Sequence, residues 1–124
     1  MYYKFLVASL LPQYDKVIVT DVDVVFLGDI AKEFIEFNIN EEYYLAGAKS
    51  GLGRSDSWLY KFSSRYDEEF SIEERKLLNF AGGYYIFNCK KIREDDLERK
   101  FIDFAFENCE RIIQPEQDTI NICC

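Results

Sequence analysis

The sequence predicts an α/β domain, and three observations carry that prediction. Short β-branched runs alternate with segments of helical period, the pattern of a sheet covered by helices. The 124 residues, 48% of them apolar, suffice for one domain with a real core. The most strand-like run, Val17 to Phe26, carries two acids, Asp21 and Asp23, where it runs out. Ligands of open α/β sheets gather at such strand ends.

Met1 to Leu11 reads as a helix with Phe5, Leu6 and Leu10 on one side, stopped by Pro12. Gln13-Tyr14-Asp15 is a turn, and Lys16 to Thr20 is a buried strand near the middle of the sheet. The strand period of two then puts Asp21 and Asp23 on one face, their Cα atoms about 6.5–7 Å apart. One divalent ion fits between such carboxylates, and a cation or donors must satisfy them beside apolar runs. A second apolar run, Val24 to Leu27, follows. Gly28-Asp29 gives a turn and an N-cap for a helix over Ile30 to Phe37, with Ile30, Phe34 and Phe37 on one face.

Asn38 to Glu42 is a loop and Tyr43 to Lys49 a second buried strand. Ser50 to Arg54 is Gly-rich, and Ser55 to Phe70 has no clean period, so it reads as loop with one helical turn around Trp58 to Phe62. Ser71 and Glu74 fit a capping box that starts a short helix toward Leu78. Phe80-Ala81-Gly82-Gly83 leads into a third strand, Tyr84 to Asn88. Cys89 to Asp95 is polar and turns into a long helix from Asp96 to Arg111, with Leu97, Phe101, Phe104, Ala105 and Cys109 on its core face. Pro115 suits the first turn of a last helix. Three strands make a thin sheet for this class, so the chain reads as a piece of a larger domain.

Composition removes several functions. A formal charge of −8 argues against a nucleic-acid partner. With no histidine, the chain supplies no His base, no Ser-His-Asp triad and no His metal ligand. Cys89, Cys109, Cys123 and Cys124 lack CxxC spacing, which speaks against zinc and for reduced thiols in a cytoplasmic protein. Lys4 interrupts the apolar start, so no signal peptide is expected, and no run is long enough to span a bilayer.

Four features bear on chemistry. Asp-x-Asp alone is weak, and it is no EF-hand loop, because Phe26 stands where Gly is needed and Val25 where an oxygen ligand is needed. Gly82-Gly83 permits either a close backbone approach to a ligand or a simple bulge. Glu116 and Asp118 suit the helix dipole, whereas the neutral Gln117 gains little from it and suits a sugar hydroxyl or a developing charge. Lys4, in an apolar and aromatic helix, is either a snorkelling surface residue or a ligand contact.

In this order the four resemble glycosyltransferase family 8, the retaining transferases of the GT-A fold. The matching segments are YYKFLVASLLPQYDKVIVTDVDVVFLGDI, FAGGYYIFNCKKIRED and QPEQDTIN. The resemblance implies a Rossmann-like α/β/α sandwich, residues 1–124 forming one partial domain. The family's N-terminal nucleotide-binding strand and C-terminal His motif, the source of a third metal ligand, lie outside it. It further implies Mn²⁺ (or Mg²⁺) on Asp21 and Asp23, bridging the diphosphate of a UDP-sugar. Asp21, Lys4, Gly82, Gly83 and Asp118 would contact the donor, and Val22 would touch the ribose through its backbone. Glu116 and Gln117 would stand beside the anomeric carbon as the catalytic pair. The implied reaction moves a hexose, glucose or galactose, to a saccharide or glycan acceptor with retention. The implied location is cytoplasmic, peripheral to a membrane only through other segments. Lys4 for Arg, Glu116 for Asp, Ala81 for Asn and Ser50 near a sugar-binding acid depart from the family pattern and bear on which sugar is used. Val17 to Val25 also fits a haloacid-dehalogenase-like phosphatase, with Asp21 and Asp23 as nucleophile and acid/base. A catalytically inactive remnant of the GT-A fold is the other alternative.

Overall fold

The structure, a computed structural model describing residues 3–49 and 63–124, is organised on its last strand rather than its first. Strands β1 (Lys16–Thr20), β2 (Leu45–Lys49) and β3 (Phe80–Asn88) form one sheet in the order β1-β3-β2. Both outer strands run antiparallel to β3, with Lys16 opposite Asn88, Thr20 opposite Tyr84 and Leu45 opposite Phe87. The sequence expectation of β1 in the middle of the sheet is therefore corrected. Residues 85–88 of β3 are fully buried, whereas residues 16–19 of β1 are half-buried. β3 also begins earlier than expected, its first four residues being Phe80-Ala81-Gly82-Gly83.

A 3-10 turn (Tyr3–Leu6) leads into α1 (Val7–Leu10), and Phe5, Val7 and Ala8 face the core. Leu6 and Leu10, expected inside, are exposed, because the tighter first turn rotates the stripe. The helix expected over Ile30 to Phe37 is α2 (Ala31–Glu36); its N-cap is Ile30 rather than Asp29, whose Oδ1 accepts from Ala31 N at 2.8 Å from one residue further out. The expected inner face of α2 is only half-buried. The run Val24 to Leu27 lies mostly at the surface, with Val25 and Leu27 exposed.

A helix absent from the sequence expectation, α3 (Ser63–Glu69), precedes α4 (Ile72–Leu77). The earlier glycine-rich stretch and the turn around Trp58 fall outside the described residues. The Ser71–Glu74 capping box forms in both directions, at 3.2 and 2.8 Å. The helix expected from Asp96 to Arg111 is α6 (Leu97–Glu107), and the polar segment before it forms a helix of its own, α5 (Cys89–Glu94); the two meet at Asp96, whose φ of 51° is left-handed. Leu97 and Phe101 are buried and Phe104 and Ala105 half-buried, but Cys109 lies past the end of α6 and is exposed. α7 (Pro115–Cys123) carries Pro in its first turn.

The main core joins Phe5 and Ala8 to Tyr85 and Phe87 of β3, Ile92, Leu97, Phe101 and Ile120. Val17 and Val19 pack against it from the same face of the sheet, as alternation requires. A smaller cluster of Tyr66, Phe70 and Leu78, with Ile113 and Ile122, lies between α3, α4 and α7. These two clusters fix α7 beside the Gly82 end of β3. That placement makes the site.

Candidate functional site

β1 ends one residue before the acid pair. Asp21 N donates to Gly83 O at 3.0 Å, the last rung toward β3, and Val24 N then donates to Asp21 O at 3.3 Å. Val22 and Asp23 therefore sit in a turn, and the strand period no longer fixes how the two carboxylates face each other. Their common face by strand alternation is corrected to neighbouring places in one tight turn. Val22 and Asp23 are exposed and Asp21 only partly covered.

Beside this turn a cavity of about 390 Å³ is lined by Lys4, Asp21, Gly82, Gly83 and the run Ile113 to Gln117. Lys4 is not a snorkelling surface residue: its side chain is 12% exposed. Its ammonium donates to Asp21 Oδ1 at 2.6 Å and to Gly82 O at 2.7 Å, and lies 3.3 Å from Glu116 Oε1. One cation thus ties together three segments far apart in sequence. Burial pushes the Glu116 carboxyl above its ordinary range, with the Asp21 charge adding to the shift and Lys4 opposing it.

Gly82 is crowded, whereas Gly83 leaves room for ordinary contacts. A Cβ on Gly82 would stand 3.2 Å from Gln117 Oε1, and one on Gly83 would stand 3.4 Å from Val24 and 3.6 Å from Asp21 Oδ2. The bulge reading holds: between Gly47 and Lys49 of β2 the partner on β3 jumps from Tyr85 to Phe80, so the extra residues, Ala81 to Tyr84, include both glycines. Gly82 N donates to Gln117 Oε1 at 2.7 Å. Because a backbone N–H must face oxygen, this bond orients the amide and leaves its NH₂ donors for the cavity that Gln117 lines.

Six of the sequence-derived residues converge: Lys4, Asp21, Gly82, Gly83, Glu116 and Gln117. Asp118 does not reach the cavity. It is fully buried, accepting from Tyr66 OH at 2.9 Å, Ile113 N at 3.0 Å and Gln114 N at 2.8 Å. It holds the turn that carries Glu116 and Gln117 rather than facing a ligand. Burial pushes both Asp118 and Tyr66 above their usual ranges, so Tyr66 remains a phenol and a donor. Sequence reasoning missed Tyr66. Its signal was the i,i+4 pair with Phe70, whose rings lie 5.5 Å apart.

Among the described residues no group of three or more His, Cys, Asp or Glu could hold a metal, so Asp21 and Asp23 offer two carboxylates at most. All four cysteines are free thiols. Among the described residues no helix is long and apolar enough to cross a membrane. Comparison with curated proteins and with solved structures gives no match. The model of the family described as glycosyl transferase family 8 matches residues 1–124. The match covers every segment that meets at the cavity, and the family's GT-A nucleotide-sugar transferase fold accords with the small sheet and its helices. The chain belongs to glycosyltransferase family 8.

Proposed function

We propose that this protein transfers a hexose, glucose or galactose, from a UDP-sugar to a saccharide or glycan acceptor with retention, using Mn²⁺ or Mg²⁺. The observation that carries the reading is the Lys4 ammonium, which gathers Asp21, the Gly82 carbonyl and Glu116 on one cavity wall. A buried cation among acids on a cavity wall suits a diphosphate whose charge a metal shares.

The donor set fits a hard divalent ion. Asp21 and Asp23 offer only oxygen, and Lys4 bonds one Asp21 oxygen, leaving Oδ2 toward Gly83. Mg²⁺ and Mn²⁺ suit one or two carboxylates completed by substrate phosphates. When bound there, the ion supplies Lewis-acid stabilisation of the leaving diphosphate. Lys4 is placed to pair with phosphate oxygens as a point charge. Gln117, fixed through its carbonyl, presents N–H donors to charge that develops at the reacting face. Gly82 and Gly83 line the cavity without adding a side chain to it. Free thiols at all four cysteines support a reducing, cytoplasmic setting.

Calorimetry with UDP tests the reading. We expect chelation of divalent ions to weaken UDP binding by about tenfold or more, the scale of a lost metal contact. Asp23→Ala should weaken it comparably and make it indifferent to chelator. Its stability should change by no more than about 0.5 kcal/mol, because the residue is exposed. UDP affinity unmoved by both chelation and Asp23→Ala would overturn the metal assignment.

A further inference from the structure

Beyond the end of β1, the edge of β3 is paired by side chains. β1 reaches Tyr84, and its extension ends on Gly83 O through Asp21 N and Thr20 Oγ1. On the remaining stretch, Asn121 Oδ1 accepts from Phe80 N at 2.7 Å while its Nδ2 donates to Phe80 O at 3.0 Å. Two residues on, Gln117 Oε1 accepts from Gly82 N at 2.7 Å. The spacing has a simple origin. Residues two apart on a strand advance about 6.7 Å, and residues four apart on a helix advance about 6.0 Å. Gln117 and Asn121, at i and i+4 on α7, therefore meet Phe80 and Gly82 in register, as a neighbouring strand would.

Asn121 also donates to Gln117 O at 2.7 Å, so every polar hydrogen and the oxygen of its amide are engaged, and it is 4% exposed. We propose that Asn121 is a positioning residue for the transfer reaction: by clamping Phe80 to α7, it sets the register that brings Gln117 onto Gly82 and aims the Gln117 amide into the cavity. This inference deepens the proposed function, and its first test does not depend on that function.

Residue-resolved amide hydrogen exchange reads the two rungs separately. In the wild-type protein Phe80 N–H and Gly82 N–H should both be protected. Gln117→Ala should speed exchange at Gly82 alone. Asn121→Ala should speed it at both, by about tenfold each, the scale of one lost hydrogen bond. Asn121→Asp keeps an acceptor for Phe80 N–H but loses both donated bonds, so Gly82 should exchange fast while Phe80 stays slow. Unchanged exchange at Val17 and Val19 certifies that the sheet has not melted. If Gly82 keeps its protection in Asn121→Ala and Asn121→Asp, the inference is wrong. The second test measures release of UDP from UDP-glucose and UDP-galactose. Asn121→Ala and Gln117→Ala should lower kcat by similar factors with little change in KM, and the double variant should be no worse than either. Multiplying losses would overturn positioning through Gln117. A wild-type protein that neither binds UDP nor turns over either sugar would instead count against the proposed function, with the exchange result standing by itself.

Discussion

The two walls of the cavity are built by opposite means. On the α7 wall, Asp118 is wholly buried and takes three hydrogen bonds, and Asn121 uses its whole amide. On the acid-turn wall, Asp23 is exposed, Val22 stands fully in solvent, and Asp21 is steadied mainly by Lys4, with its side chain 47% exposed. Saturated groups fix geometry but have nothing left to offer a ligand. The turn keeps carboxylate charge free for a cation. Scaffold and binding capacity are thus divided between neighbouring segments, and substitutions on each wall should fail differently.

Asp118→Ala should show the largest effect on stability. It strands Ile113 N, Gln114 N and the Tyr66 hydroxyl inside the protein, with no carboxylate to receive them. Removing one partner from a buried, charge-assisted network costs about 3–5 kcal/mol. Urea unfolding should show a loss of that size, against almost none for Asp23→Ala. A loss below about 1 kcal/mol would mean that the Tyr66–Phe70 cluster, and not Asp118, holds the start of α7.

That asymmetry also explains what could be read from sequence. Gly82 and Gln117 stood out because each is an odd choice for its element, and Lys4 because it is charged in an apolar helix. Asp118 looked like another dipole acid, since nothing local reveals that Tyr66 lies above it; that contact spans 52 residues. β1 read as central because composition reports β-branching and not neighbours, whereas β3 became central through pairing on both edges. The Asp21–Asp23 face failed for a local reason: a strand that stops at Thr20 loses its period of two there. The start of α6 at Asp96 was legible, but the helix α5 before it was not, because its segment is polar apart from the buried Cys89 and Ile92.

Behind α7, the scaffold has its own pH signature. The Glu74 carboxylate accepts from Ser71 N at 2.8 Å and from Arg111 Nη2 at 2.7 Å. The Arg111 bond holds its carboxyl down at about 2, against an ordinary 4.5. A lowered carboxylate adds stability that is complete above the ordinary value and disappears as pH falls toward the folded one. After solvent screening of a part-exposed pair we expect about 1–2 kcal/mol lost between pH 4.5 and 2. Glu74→Gln should flatten this acid limb in unfolding curves. An unaltered slope would remove the Arg111 pair from the scaffold.

Glu116 should do the reverse, and more weakly. Burial raises its carboxyl, so the folded protein holds the proton more tightly than the unfolded chain does. A raised carboxylate contributes stability at low pH that is lost as pH climbs through and above the ordinary carboxylate range. Lys4, at 3.3 Å, recovers part of that cost. Glu116→Gln should therefore raise stability at pH 7 by about 0.5 kcal/mol and leave it unchanged at pH 3, where both forms are neutral. Paired urea curves at the two pH values measure the difference. Destabilisation at pH 7 would show that the Lys4 contact outweighs burial, making the cavity wall a structural ion pair. Stabilisation would mark a charge kept on the cavity wall at the expense of the fold. Such a cost is typical of a group retained for binding or chemistry.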